Sequence, residues 1–173
     1  MRIRLLLLLG CLVPGVPAWP ADLPPLPPGV MTVEGRPAPA LRLNTLDGAP
    51  YDLASARGHW VFVHFWASWC GPCKREMPAI QRMIARLQGG RIEFVIVNTA
   101  ETEDTVFTFL AAVAPDVTPL MDSHGRVTEE WQPRGLPASF LVDPQGRIRY
   151  QALGGREWDT PPYLDFLRRL DRG

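Results

Sequence analysis

The chain has 173 residues, 46% of them hydrophobic, with 18 basic and 18 acidic side chains and a formal net charge of zero. That length buries one ordinary core rather than two, so one globular domain is expected. The charged residues are balanced and scattered, which excludes the concentrated basic face of a nucleic-acid-binding protein.

The first residues, MRIRLLLLLGCLVPGVPAW, combine two arginines, an apolar run from Leu5 to Val13, and Val16 and Ala18 placed like a signal-peptidase site. Residues 1–18 read as a cleaved secretory signal. The apolar run is about half of the roughly 20 residues that a spanning helix needs, which favours export over a membrane anchor. The LLGC within it is similar to a bacterial lipoprotein box, which would make Cys11 lipid-bearing; otherwise Cys11 is an apolar filler of a discarded peptide. From 19 to 36 the prolines of WPADLPPLPPG, without apolar periodicity, read as a semi-rigid extended linker. The folded domain is expected over 37–173.

LRLNTLDGAPYDL alternates apolar and polar residues around Asp47-Gly48, the pattern of a β-hairpin with a tight turn, placed at a sheet edge. HWVFVHFWA and RIEFVIVNT are nearly continuous runs of β-branched and aromatic residues, as in central parallel strands covered on both faces. Between them, Ala79, Ile80, Met83, Ile84 and Leu87 share one helical face that ends at Gly89-Gly90. Strand, helix, strand implies a right-handed crossover. A second helix fits Thr102 to Val113, with Glu103 and Asp104 in its first turn and Phe107, Leu110 and Ala111 facing the core. ASFLVDPQGRIRYQAL reads as an antiparallel pair joined by a turn at Asp143-Pro144-Gln145-Gly146, and DTPPYLDFLRRL as a closing helix with Tyr163, Leu164, Leu167 and Leu170 inward.

The chemistry sits in WCGPCKREMP. Without the leader the chain keeps only Cys70 and Cys73, so neither has another cysteine to bond. A tetrahedral zinc site needs four ligands, and His59, His64 and His124 supply no ligand-spaced motif; no metal is expected. As a structural staple the pair closes too short a loop to contribute much stability. A reactive dithiol remains. Cys70 lies where a buried strand passes into a helix, and there free backbone N–H groups and the helix dipole favour a thiolate. Cys70 is therefore the attacking sulfur, and Cys73, one turn further in, resolves the mixed disulfide. Pro72 restricts the loop and suits the first helical turn. Trp69 reads as an apolar rim facing substrate, and Trp66 as core.

FWASWCGPCKREMP followed by GLPASFLVDPQGRI resembles the thioredoxin superfamily, and within it the exported TlpA/ResA/CcmG-type thiol-disulfide reductases. The likeness runs from about Pro37 to the C-terminus. It implies an α/β thioredoxin fold, a central mixed β-sheet with helices on both faces, here with an N-terminal β-hairpin extension. It also implies a cis peptide at Pro137 beside the cysteines, with the Leu136 backbone free to pair with a substrate strand. Trp69, Gly71, Pro72, Leu136 and Pro137 are then the substrate-facing positions. Glu76 matches an acidic residue of such reductases that accepts or returns the proton of the resolving thiol; its ordinary reading is a solvated helix glutamate beside Lys74 and Arg75. Pro78 matches a helix-kinking proline.

One departure stands out. Thioredoxin itself carries a buried aspartate six residues before the first cysteine, where this chain has His64, read either as a hydrogen-bonded core histidine or as a proton relay.

The implied activity is exported, periplasmic thiol-disulfide exchange, mainly reducing protein disulfides. Apocytochrome c is a candidate substrate and a membrane thiol-electron transporter the candidate reductant. No cofactor is required, since the two sulfurs hold the electrons, and a monomer is expected. General disulfide reduction and a non-catalytic thioredoxin-like adaptor are the alternatives. The peroxiredoxin pattern is missing from HFWASWC, and the two-residue spacer differs from that of copper chaperones; His124 reads as a turn residue.

Overall fold

The computed structural model describes residues 25–172. An eight-stranded mixed sheet has the order β1-β8-β7-β4-β5-β6-β2-β3. Its strands are β1 (Val30–Thr32), β2 (Arg42–Thr45), β3 (Pro50–Asp52), β4 (Val61–Trp66), β5 (Glu93–Thr99), β6 (Leu120–Asp122), β7 (Ala138–Val142) and β8 (Ile148–Leu153). The helices are α1 (Gly71–Leu87), α2 (Glu103–Val113), α3 (Arg126–Trp131) and α4 (Pro161–Arg172).

The continuous apolar runs become the centre of the sheet: β4 pairs parallel with β5 and antiparallel with β7, and all six residues of β4 are buried. Strand alternation divides that burial between two layers. Phe62 and Trp66 pack with Met77, Ile80 and Met83 of α1, Val106 and Leu110 of α2, and Phe166 and Leu167 of α4. Val61, Val63 and Phe65 pack on the opposite face with Trp131 of α3, Phe140 and Leu41. Helices thus cover both faces, as expected of the thioredoxin fold. Trp131 meets Phe65 and Phe140 at ring distances of 5.4 and 5.3 Å. Removing such a fully buried aromatic costs about 3–5 kcal/mol.

The β2–β3 hairpin forms where expected and extends the sheet edge through β6. Thr45 and Ala49 close its turn at 2.8 Å, and Gly48 has φ +87°, a conformation that side chains disfavour. The Asp143–Gly146 turn is fixed by the Asp143 carboxylate, which accepts from the N–H groups of Gln145 and Arg147.

Two expectations need correction, and one helix was not anticipated. The signal sequence 1–18 and the start of the 19–36 linker lie outside the described residues, but the end of that linker is not a free tether. Val30–Thr32 pairs antiparallel with β8 as the outermost strand, and the Tyr163 hydroxyl donates to the Pro28 carbonyl. Folded structure therefore begins before Pro37: the prolines exclude helix but leave an extended chain, which the Val-Met-Thr run continues into the sheet. On α2, Phe107 is 65% exposed and Ala111 also faces solvent. Val106, Leu110 and Ala114 form the buried stripe instead, since Leu110 belongs to two overlapping helical spacings and its buried neighbours lie four residues away on either side. Finally, α3 was not anticipated. Its six residues are too few for periodicity to register, yet its N-terminal N–H groups are held by Asp122, which accepts from Thr128 N–H and hydroxyl, both at 2.7 Å. His124 lies in the turn before it, as expected.

Candidate active site

The site forms where β4 gives way to α1. Cys70 is the N-cap of α1, and its sulfur accepts from the Cys73 N–H at 3.3 Å. Pro72 lies in the first turn, where its missing N–H costs nothing, and α1 continues through Pro78 to Leu87. Cys70 and Cys73 are joined by a disulfide, with Cα atoms 5.2 Å apart. The two cysteines are both buried but differ in access: Cys70 keeps 6% exposure and Cys73 has none. Around Cys70, Gly71 and Pro72 are exposed and Trp69 stands out at 66% exposure.

Other elements converge on this corner. The Leu136–Pro137 peptide is cis, Pro137 is buried at the start of β7, and its carbonyl accepts from Gly154 N–H at 2.8 Å. Leu136 is half-buried against both core layers. The segment after β8 closes over α1 so tightly that a Cβ on Gly155 would come 3.3 Å from the Pro72 carbonyl.

That closure buries Glu76. Its Oε1 accepts from Arg156 N–H at 3.0 Å and from Trp158 Nε1 at 2.6 Å, while Oε2 faces His64 Nε2 at 3.7 Å. Burial drives the Glu76 carboxyl up to about 8, against the pull of those donors, and drives the His64 imidazole down. Burial therefore favours a neutral acid beside a neutral imidazole over an ion pair. The solvated-glutamate reading is overturned, and His64 is a core histidine whose Nδ1 lies 2.9 Å from Ser139 Oγ, its cross-strand partner on β7.

A brace from β5 was missed. Glu101 accepts from the Ser68 N–H at 2.7 Å, from the Ser68 hydroxyl, and from Asn98 Nδ2 at 2.8 Å, fixing the turn that presents Trp69 and Cys70. The only sequence cue was an acidic residue just beyond the C-terminal end of a central parallel strand, where α/β sites gather. Among the described residues, no three His, Cys, Asp or Glu side chains are grouped to hold a metal ion.

A model of the AhpC/TSA family matches residues 35–151, more than half of the chain. The chain belongs to the AhpC/TSA family. Among its relatives in that family, the thiol-disulfide oxidoreductase ResA of Bacillus subtilis is 30% identical over 66% of this chain and 64% of its own length, so the chain spans just under two thirds of that protein. ResA of Bacillus thuringiensis is 28% identical over 79% of this chain and 78% of its own. A solved structure from Chlorobium tepidum, described as a thiol:disulfide interchange protein DsbE, is 31% identical with a TM-score of 0.70, covering 81% of this chain and 99% of that one. Within the AhpC/TSA family the chain is therefore similar to thiol-disulfide oxidoreductases of the ResA/DsbE type, and it has their thioredoxin fold. Among the described residues, no helix is long and apolar enough to cross a membrane.

Proposed function

We propose that this protein reduces protein disulfides outside the cytoplasm, with Cys70 as nucleophile and Cys73 as resolving thiol. The carrying observation is the asymmetry of the pair: Cys70, at a helix N-terminus, is buried but keeps 6% exposure, and Cys73 behind it has none. In the dithiol form the Cys70 thiolate attacks a substrate disulfide, whose S–S bond breaks to release one thiol and leave a mixed disulfide. Cys73 then attacks the Cys70 sulfur, its proton passing to the departing substrate sulfur, which forms the intramolecular disulfide and releases the second substrate thiol. Two electrons pass to substrate. An external dithiol restores the pair, and Glu76 supplies a proton as Cys73 leaves.

Trp69, Gly71, Pro72, Leu136 and Pro137 form the substrate-binding face, where an extended substrate segment lies over the pair and bonds to the Leu136 backbone. Export through the 1–18 leader, or lipid attachment at Cys11, places the reaction in the periplasm. There a membrane thiol-electron transporter is the reductant and apocytochrome c, with its paired cysteines, the favoured substrate. The protein acts as a monomer.

Cys73→Ser tests this, because Cys70 then stays joined to whatever it attacks. Capture of haem-binding apoproteins supports the maturation role. Capture of many unrelated exported proteins replaces it with general reduction, and a folded variant that captures nothing points to a non-catalytic adaptor.

A further inference from the structure

Two buried polar atoms face each other without a hydrogen-bond partner. Glu76 Oε2 and His64 Nε2 are 3.7 Å apart, in side chains almost wholly shielded from solvent. Every other polar atom of the two side chains is engaged: Glu76 Oε1 by Arg156 N–H and Trp158 Nε1, and His64 Nδ1 by Ser139 Oγ. Buried groups left unpaired in this way are rare and costly.

One proton satisfies both atoms. With the proton on Oε2 and a bare lone pair on Nε2, a closure of about 1 Å gives an ordinary O–H···N hydrogen bond. Nδ1 then carries the ring proton and donates to Ser139. The alternative, a carboxylate beside an imidazolium, places two charges in an apolar layer between Phe62, which lies 6.0 Å from the imidazole ring, and Trp158. Of the groups facing the pair, the Arg156 N–H, the Arg156 charge and Trp158 Nε1 favour a carboxylate and Glu157 opposes it, and burial outweighs them. From the segment after β8 come Arg156, whose guanidinium is turned to the carbonyls of Gly29 and Leu153, Glu157, and Asp159, which is engaged by Arg82. From α1 come Cys73, one turn before Glu76, and the exposed Lys74 and Arg75; from α4, Tyr163, tilted against Trp158 at a ring distance of 5.0 Å; and from β7, Ser139.

We propose that His64 is a positioning residue for the redox pair: protonated on Nδ1, it accepts the Glu76 Oε2 proton at Nε2 and so holds the acid loaded one turn from Cys73. The functional part of this rests on the reading that Cys70 and Cys73 exchange disulfides. As an external dithiol opens the disulfide, Cys73 leaves as thiolate, the Glu76 O–H bond breaks, and an S–H bond forms. Glu76 becomes a carboxylate that solvent reprotonates, while His64 keeps its ring proton throughout.

The test is nitrogen-15 NMR of the histidines in the full chain with the disulfide intact, from pH 6 to 9. The expected result is a protonated Nδ1 and bare Nε2 on His64, with the Nε2 resonance moving around pH 8 in the wild type and staying still in Glu76→Gln. A protonated Nε2, an imidazolium at pH 7, or a wild-type Nε2 signal that ignores pH overturns the proposal. A kinetic arm follows reduction of the disulfide by dithiothreitol in His64→Phe. Relative to the wild type, its rate falls up to about tenfold between pH 6 and 8, as the acid loses its acceptor and one pH unit of protonation. A constant ratio in a folded variant overturns the positioning role; if the variant does not fold, the wild-type spectra decide. A wild-type dithiol that reduces no protein disulfide at any pH defeats the proposed function while the tautomer result stands apart.

Discussion

Replacing Glu76 with glutamine should make the protein more stable, and increasingly so as the pH rises. The amide keeps an oxygen to accept from Arg156 N–H and Trp158 Nε1, and its NH2 group donates to His64 Nε2, so it copies the protonated acid. The wild-type carboxyl is raised from 4.5 to about 8 by burial. Above pH 4.5 the unfolded chain gains by ionising a group that the folded chain must keep neutral, so the native state binds the extra proton and stability falls as pH climbs towards 8. Each pH unit in that window costs about 1.4 kcal/mol, so the advantage of Glu76→Gln should grow by roughly 2–3 kcal/mol between pH 5 and 7 and level off above 8. His64 works in the opposite sense at lower pH, since its depressed imidazole adds stability with rising pH up to about 6.5, in wild type and variant alike. Guanidinium unfolding at pH 5, 6, 7 and 8, with the disulfide intact, measures the difference. Parallel stabilities across that range would show that Glu76 ionises freely in the folded protein and refute the reasoning.

Trp69→Ala should leave stability within about 0.5 kcal/mol, because the ring is exposed, yet raise KM for a protein disulfide by about tenfold; an unchanged KM in a turnover assay removes Trp69 from the substrate surface. Glu101→Ala strips the carboxylate from Ser68 and Asn98 and should cost about 2–4 kcal/mol in denaturant unfolding while slowing exchange at Cys70. Full stability there means that the turn needs no brace. Deleting the chain through Thr32 removes β1, the buried Val30 and the Tyr163–Pro28 hydrogen bond, for a loss of about 2–4 kcal/mol. An unshifted unfolding midpoint would mark β1 as dispensable.

The reach of the sequence was set by the range of each signal. Local ones carried well: the β4 and β5 runs, the Asp47-Gly48 hairpin, and the strand-to-helix switch that places Cys70 as an N-cap were all legible, because period and turn chemistry are written within a few neighbouring residues. The inward face of α2 was misjudged because its apolar residues fit two spacings, and only packing against β4 and α1 chooses between them. Glu76 was ambiguous for a different reason. Flanked by Lys74 and Arg75 it has the local pattern of a surface residue, and its burial depends on the Gly154–Trp158 segment, about 80 residues away in the chain. Glu101 bracing Ser68 across 33 positions is the same kind of long-range fact. The strand at Val30–Thr32 was hidden by the prolines before it, which signal extended chain without saying whether an edge strand waits to pair.

The central claim is that the helix start makes the Cys70 sulfur an accessible thiolate. Alkylation of the reduced protein by iodoacetamide, followed site by site against pH, measures this directly. Modification of Cys70 with a midpoint clearly below the free-thiol value, well before Cys73 reacts, is the predicted result. A Cys70 midpoint at or above the free-thiol value of about 8.5, or faster modification of Cys73, would contradict it.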